Sequence, residues 1–173
     1  TFLPFISPKE ELPDNMSMAY ATLYSTERTL DKDPAWAETY HSNIQGYISQ
    51  GFARSVSLEE WQSRKDLPHW FLPHLAVLNI GSVTTPVRTV FDSGRRYKGV
   101  CLNDKLAKGP KAHTKRLLDV VIRWREEKEV LLGDIKGMFH HIGVKLEDQF
   151  MQCFLYRRDR SQVPQIYVMT VLI

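Results

Sequence analysis

Val130-Leu131-Leu132-Gly133-Asp134-Ile135-Lys136-Gly137-Met138-Phe139 is the stretch on which the reading of this chain turns. An apolar triplet and a glycine lead into one carboxylate, with a second glycine three positions on and an aromatic five positions on. The pattern predicts a short buried strand that delivers Asp134 into a sharp turn. A carboxylate presented this way suits a hard cation such as Mg²⁺, which takes oxygen ligands. Aspartate also serves as a turn former and helix N-cap, and Phe139 alone reads as core, so the residues themselves leave both uses open.

Working outward, the residues before this stretch predict a helix from about Lys111 to Lys128. Leu117, Val120, Val121 and Trp124 would form its buried stripe, with Lys115, Arg116, Arg123 and Arg125 around them. A basic, glycine-containing loop at 93–109 precedes it. Before that, Trp70–Ile80 and Val83–Phe91 read as a β-hairpin turning at Asn79-Ile80-Gly81-Ser82, with Pro73 placing the first strand at an edge. On the other side, Gln149–Tyr156 and Gln165–Ile173 read as strands joined by a loop at Arg158-Asp159-Arg160-Ser161.

The N-terminal part is helical. Residues 1–14 hold three prolines and read as an irregular arm, followed by a helix over Met16–Leu30. Asp33 is placed as an N-cap with Pro34 at the first helical position. Trp36, Tyr40, Ile44, Tyr47 and Ile48 then recur at helical spacing up to Gly51, a stripe read as core. Ser57-Leu58-Glu59-Glu60 has capping-box spacing and starts a third helix. The order of helices, hairpin, helix, strand–Asp–turn and hairpin predicts an α+β fold with a mixed or antiparallel sheet. It divides into an N-terminal helical region (1–66), a hairpin, basic loop and helix (67–129), and the start of a second sheet (130–173).

Composition bounds the function. The 173 residues are 43% hydrophobic and 25% charged, enough for a real core and too interrupted for a membrane span. Cys101 and Cys153 belong to no metal-binding spacing and read as reduced thiols, pointing to an intracellular setting, cytoplasmic or nuclear. His69 and His74 are five apart, which on a strand would set them on opposite faces and argues against zinc. His140-His141 reads as a polar turn or surface pair. From Arg88 to Lys128 there are twelve Lys/Arg against five Asp/Glu, and elsewhere eleven against fifteen. Such a basic middle is either a polyanion-binding surface or an ordinary solvated face.

Several segments, taken in order, carry a resemblance: Tyr47-Ile48-Ser49-Gln50-Gly51-Phe52-Ala53-Arg54, Trp70-Phe71-Leu72-Pro73-His74-Leu75-Ala76-Val77, Val87-Arg88-Thr89-Val90-Phe91-Asp92, Leu102-Asn103-Asp104 with Gly109-Pro110, Asp134 to Phe139, and Gln152-Cys153-Phe154-Leu155-Tyr156-Arg157. Together they resemble the reverse transcriptase of Bel/Pao-type long-terminal-repeat retrotransposons. The resemblance implies the fingers and opening part of the palm of a right-hand polymerase. It implies that Asp134, with the Ile135 carbonyl, is a catalytic Mg²⁺ ligand and that Arg88 meets the incoming triphosphate. Phe139 would close the sugar pocket against a 2′-hydroxyl. Arg95, Arg96, Lys98, Lys105 and Lys108 would meet the phosphates of an RNA/DNA template-primer. A cytoplasmic virus-like particle or the nucleus would be its setting.

The pattern also departs from the family. Pro86 stands where a basic residue is common, and the paired aspartates of the catalytic hairpin are not among the 173 residues. Two-metal chemistry needs more than one carboxylate, so this chain alone is expected to lack polymerase activity. A rival expectation is a truncated, co-opted relic acting as a binding or structural module, with a protein partner covering a raw sheet edge.

Overall fold

A computed structural model describes residues 1–78, 87–109, 115–126, 128–131 and 133–173. The expected turn at 79–82, Pro86, Pro110, positions 111–114 and Leu132 lie outside the described residues.

Asp33 begins the second helix as its chemistry dictates: Oδ1 accepts from the Ala35 N–H at 2.9 Å and the Trp36 N–H at 3.3 Å. This helix, α2 (Pro34–Ser49), follows α1 (Met16–Leu30) and buries Tyr40 and Ile44, with Trp36, Tyr47 and Ile48 half-buried, so the aromatic stripe is core. Gly51 ends it with φ +74°, which lets the chain reverse without a Cβ penalty. α3 (Leu58–Arg64) is capped by Ser57 Oγ, which accepts from the Glu60 N–H at 3.1 Å. The capping box is only half made, because the Glu60 carboxylate pairs with the Arg54 guanidinium at 2.8 and 2.9 Å.

The strands form two antiparallel sheets, and the fold is α+β. β2 (His74–Leu78) pairs with β3 (Val87–Phe91) in the register His74↔Phe91 to Leu78↔Val87. The other sheet runs β1 (Ala53–Ser55), β5 (Gln165–Met169), β4 (Cys153–Tyr156), with Ala53↔Met169 and Cys153↔Val168. β1 comes from the first sequence region and β5 from the last, so the three regions share a core. In one cluster Leu30, Tyr40 and Ile44 meet Val87, Phe154 and Met169. At the start of β4 the chain itself bonds to the outer side of the strand: Leu72 N donates to Cys153 O at 2.7 Å and Cys153 N to Trp70 O at 3.0 Å.

Two buried carboxylates fasten the periphery. Asp148 is 1% exposed and accepts from the Leu3 N–H at 2.7 Å and from Lys9. The N-terminal arm is therefore docked, with a 3-10 turn at Lys9–Glu11. Glu27 on α1 takes the Arg157 guanidinium in two bonds of 2.7 Å, joining α1 to the end of β4.

Four expectations about elements need correction. Residues 130, 131 and 133 form no strand; Leu131 is 98% exposed, and no neighbouring strand pairs with it to make an extended segment stable. The helix after the basic loop is shorter, α5 (Leu117–Trp124), following the small α4 (Leu102–Lys105). Its apolar stripe is not buried: Leu117 is 78% exposed, and among the described residues the helix has no substantial packing against another element. Periodicity marks a face to be covered but does not supply the cover. The strand expected to open at Gln149 opens at Cys153, after α6 (Leu146–Gln149) and a 3-10 turn at Phe150–Gln152. Here Phe150 and Met151 are both buried, and the Gln149 and Gln152 amides bond to backbone carbonyls at 3.1 and 3.2 Å. The hairpin strand expected from Trp70 begins at His74, leaving His69 outside it. Among the described residues no helix is long and apolar enough to cross a membrane.

Candidate functional site

β3, the far end of α2 and the turn after Asp134 enclose a groove of about 520 Å³. α2 supplies Ser42, Asn43 and Tyr47, and the reversal at Gly51 brings Gln50 and Phe52. β3 supplies Arg88 and Thr89, and the turn supplies Lys136, Gly137 and His140. Each has a local cause. The Phe52 N–H donates to Tyr47 O at 2.9 Å, folding the chain back along α2, and the Thr170 N–H holds Phe52 O at 2.9 Å. Gly137, at φ +62°, starts a 3-10 turn over Met138–His141, and His140 N donates to Gly137 O at 2.8 Å. His140 is thereby stacked on Phe52, centroids 5.0 Å apart, and set edge-on to Tyr47 at 5.3 Å.

The groove's charge is one-sided. Arg88 and Lys136 line it, and among the described residues no Asp or Glu does. A volume of this size fits a small-molecule ligand, and its cations favour an anion. Thr89 Oγ1 is buried with no hydrogen-bond partner among the described residues. Arg88 was expected as a site residue; Tyr47, Phe52, Lys136 and His140 were not. Tyr47 reads as core and His140 as a polar turn or surface residue, while Phe52 and Lys136 enter only as members of the segments that carry the resemblance.

The other expected site residues lie outside this groove. Asp134 is exposed on irregular backbone, Ile135 is 62% exposed, and Phe139 is 54% exposed. Among the described residues no three His, Cys, Asp or Glu side chains gather where one metal ion could hold them. Asp134 with the Ile135 carbonyl is thus an incomplete donor set for Mg²⁺.

Of the expected phosphate contacts, Arg96 is engaged by Asp104 at 2.8 Å and by Gly99 O at 2.7 Å, and Lys105 by Glu11. Lys98 lies over the Tyr97 ring, 5.5 Å from its centroid, and Arg95 and Lys108 are exposed. Surface pairs of this kind are weak, so a phosphate can displace the carboxylate.

The buried histidine His74 and the two cysteines are structural. His74 is buried, with Nε2 2.7 Å from Leu155 O and Nδ1 2.5 Å from the Tyr40 hydroxyl. A carbonyl only accepts, so Nε2 carries the proton and Nδ1 accepts from Tyr40. Burial lowers the His74 pKa to about 4, against the opposing pull of the Leu155 carbonyl, and pushes the Tyr40 hydroxyl up. Both ring nitrogens are used, and a metal has nowhere to bind. Burial likewise pushes the Cys153 thiol up, leaving it unreactive, and Cys101 is buried and unpaired.

No family model matches the chain, and no curated protein matches it.

Proposed function

We propose that the chain is the fingers and opening palm of a Bel/Pao-type reverse transcriptase, an RNA-directed DNA polymerase, and that the groove takes the triphosphate of the incoming nucleotide. One observation carries the reading. Arg88 and the turn after Asp134, distant in the sequence, line the same cavity, and among the described residues no carboxylate lines it. The residue named by the resemblance as the fingers arginine thus shares a groove with the turn that follows Asp134, although Asp134 itself is not among the lining residues.

The chemistry of the groove follows from its donors. Arg88 offers a planar fork that meets two phosphate oxygens at once, and Lys136 adds a mobile point charge. Bound Mg²⁺ would neutralise charge on the phosphates and orient them in line for attack. Asp134 and the Ile135 carbonyl would contribute to its binding, together with carboxylates that these 173 residues do not supply. Phe139 would limit the sugar by steric bulk, and the exposed lysines and arginines of 95–108 would meet template-primer phosphates without reading sequence. The chain by itself is not catalytically complete.

Isothermal titration with inorganic tripolyphosphate tests the groove. Saturable binding that weakens about tenfold in Arg88→Ala and in Lys136→Ala is expected, since a hydrogen bond to a charged group contributes about 1.5–3 kcal/mol. Asp134→Asn should leave it unchanged without Mg²⁺. No saturable binding would refute the groove assignment, and primer extension by the purified chain would refute its incompleteness.

A second reading, a co-opted relic serving as a structural or binding module in a larger assembly, is favoured by the apolar face of α5. Leu117, Leu118, Ile122 and Trp124 are all exposed there. Native mass measurement on material purified from its source separates the two: a bare monomer sinks the relic reading.

A further inference from the structure

We infer that the Tyr47–Phe52–His140 wall of the groove seats a nucleobase, so that this chain binds a nucleoside triphosphate with no template strand present. The inference rests on the phosphate reading of Arg88 and Lys136 and adds the other end of the ligand. A polymerase that selects its nucleotide by pairing leaves the base to the template; here the protein itself offers aromatic rings.

The wall is preorganised. Phe52 is fixed by the Tyr47 O and Thr170 N bonds at 2.9 Å, His140 by its stacking on Phe52, and Tyr47 by edge-on contact with Phe91 at 5.7 Å. Such rings cost little conformational entropy to use, and a base stacks on them whatever its identity, because every base has a π-face. One donor of each amide at the wall is engaged: Asn43 Nδ2 donates to Val87 O at 3.2 Å and Gln50 Nε2 to Gly46 O at 2.9 Å. Since backbone carbonyls fix which end of each amide is nitrogen, the side-chain oxygens of Asn43 and Gln50 remain as acceptors. One groove therefore combines cations and an aromatic wall, with a volume suited to a single nucleotide rather than a strand.

The test is equilibrium dialysis or titration without template and without Mg²⁺, comparing dATP, dTTP and inorganic tripolyphosphate. At least tenfold tighter binding of dATP than of tripolyphosphate is expected, with dTTP between them because its ring stacks over less area. Phe52→Leu keeps apolar packing, and His140→Gln tests the same wall should the first variant unfold. Each should erase the advantage of dATP while leaving tripolyphosphate affinity unchanged. Arg88→Ala should weaken all three ligands.

Equal affinity for dATP and tripolyphosphate overturns the base subsite and leaves the phosphate reading standing. Failure of tripolyphosphate to bind removes the phosphate reading as well. A dATP advantage that survives both wall variants also overturns the inference, as does affinity for oligo(dT) that keeps rising with length, which would indicate a strand-binding surface.

Discussion

Replacing His74 by glutamine isolates the effect of burying an imidazole between Tyr40 and Leu155. The folded pKa is depressed to about 4 from the ordinary 6.5, chiefly because burial disfavours the charged ring. The sign follows from proton counts. Below pH 6.5 the unfolded chain takes up a proton that the folded one refuses, so the unfolded state binds more protons and stability falls as pH falls. Above 6.5 the group costs nothing. At about 1.4 kcal/mol per pH unit, the window from 6.5 down to about 4 amounts to about 3 kcal/mol. His74→Gln removes that slope. At pH 7 it should itself cost about 1–3 kcal/mol, because an amide satisfies the Tyr40 hydroxyl and the Leu155 carbonyl less well than the ring does. The assay is urea unfolding of both proteins at pH 7.5, 6, 5 and 4.5. The stability gap should narrow steadily below pH 6.5. His41, whose pKa burial also lowers, is present in both proteins and cancels in the difference. A gap that stays constant from pH 7 to 4.5 would refute the buried, neutral ring.

Glu27→Ala should cost about 3 kcal/mol in urea unfolding, because Arg157 is left buried without its bidentate partner; a loss below about 1 kcal/mol would contradict the geometry. Asp33→Ala removes the two N-cap bonds of α2 and should cost about 1 kcal/mol by thermal or urea denaturation. Gly51→Ala meets no atom within 4 Å, so its cost of about 1 kcal/mol would come from the left-handed backbone alone. Leu117→Gln and Leu118→Gln on α5 should each change stability by less than about 0.5 kcal/mol, since neither side chain is buried.

Much of the frame was legible from local chemistry. Asp33-Pro34 and Gly51 bound α2 from either side, Ser57 starts α3, and the β-rich runs around 74–78 and 87–91 do pair. What was illegible depends on distant partners. Nothing near Asp148 announces that it will be buried under Lys9 and Leu3, in the helical turns that stand where the strand start was expected. The stripe on α5 and the apolar triplet before Asp134 obey the right periods, yet neither acquires a partner among the described residues. The candidate site divided in the same way: Arg88 was visible from its motif, whereas Tyr47, Phe52 and His140 are dispersed in sequence and look like core or surface until the chain reverses at Gly51 and Gly137.

The sequence by itself determined the ends of α2, the start of α3, the pairing of the 74–78 and 87–91 runs and the α+β class, because caps, glycine conformations and hydrophobic periods act over a few residues. Only the tertiary structure decided which carboxylates are buried, which apolar faces stay uncovered, and that Arg88 shares a groove with the turn after Asp134. Those outcomes depend on contacts between residues tens of positions apart, where desolvation and packing outweigh local preference.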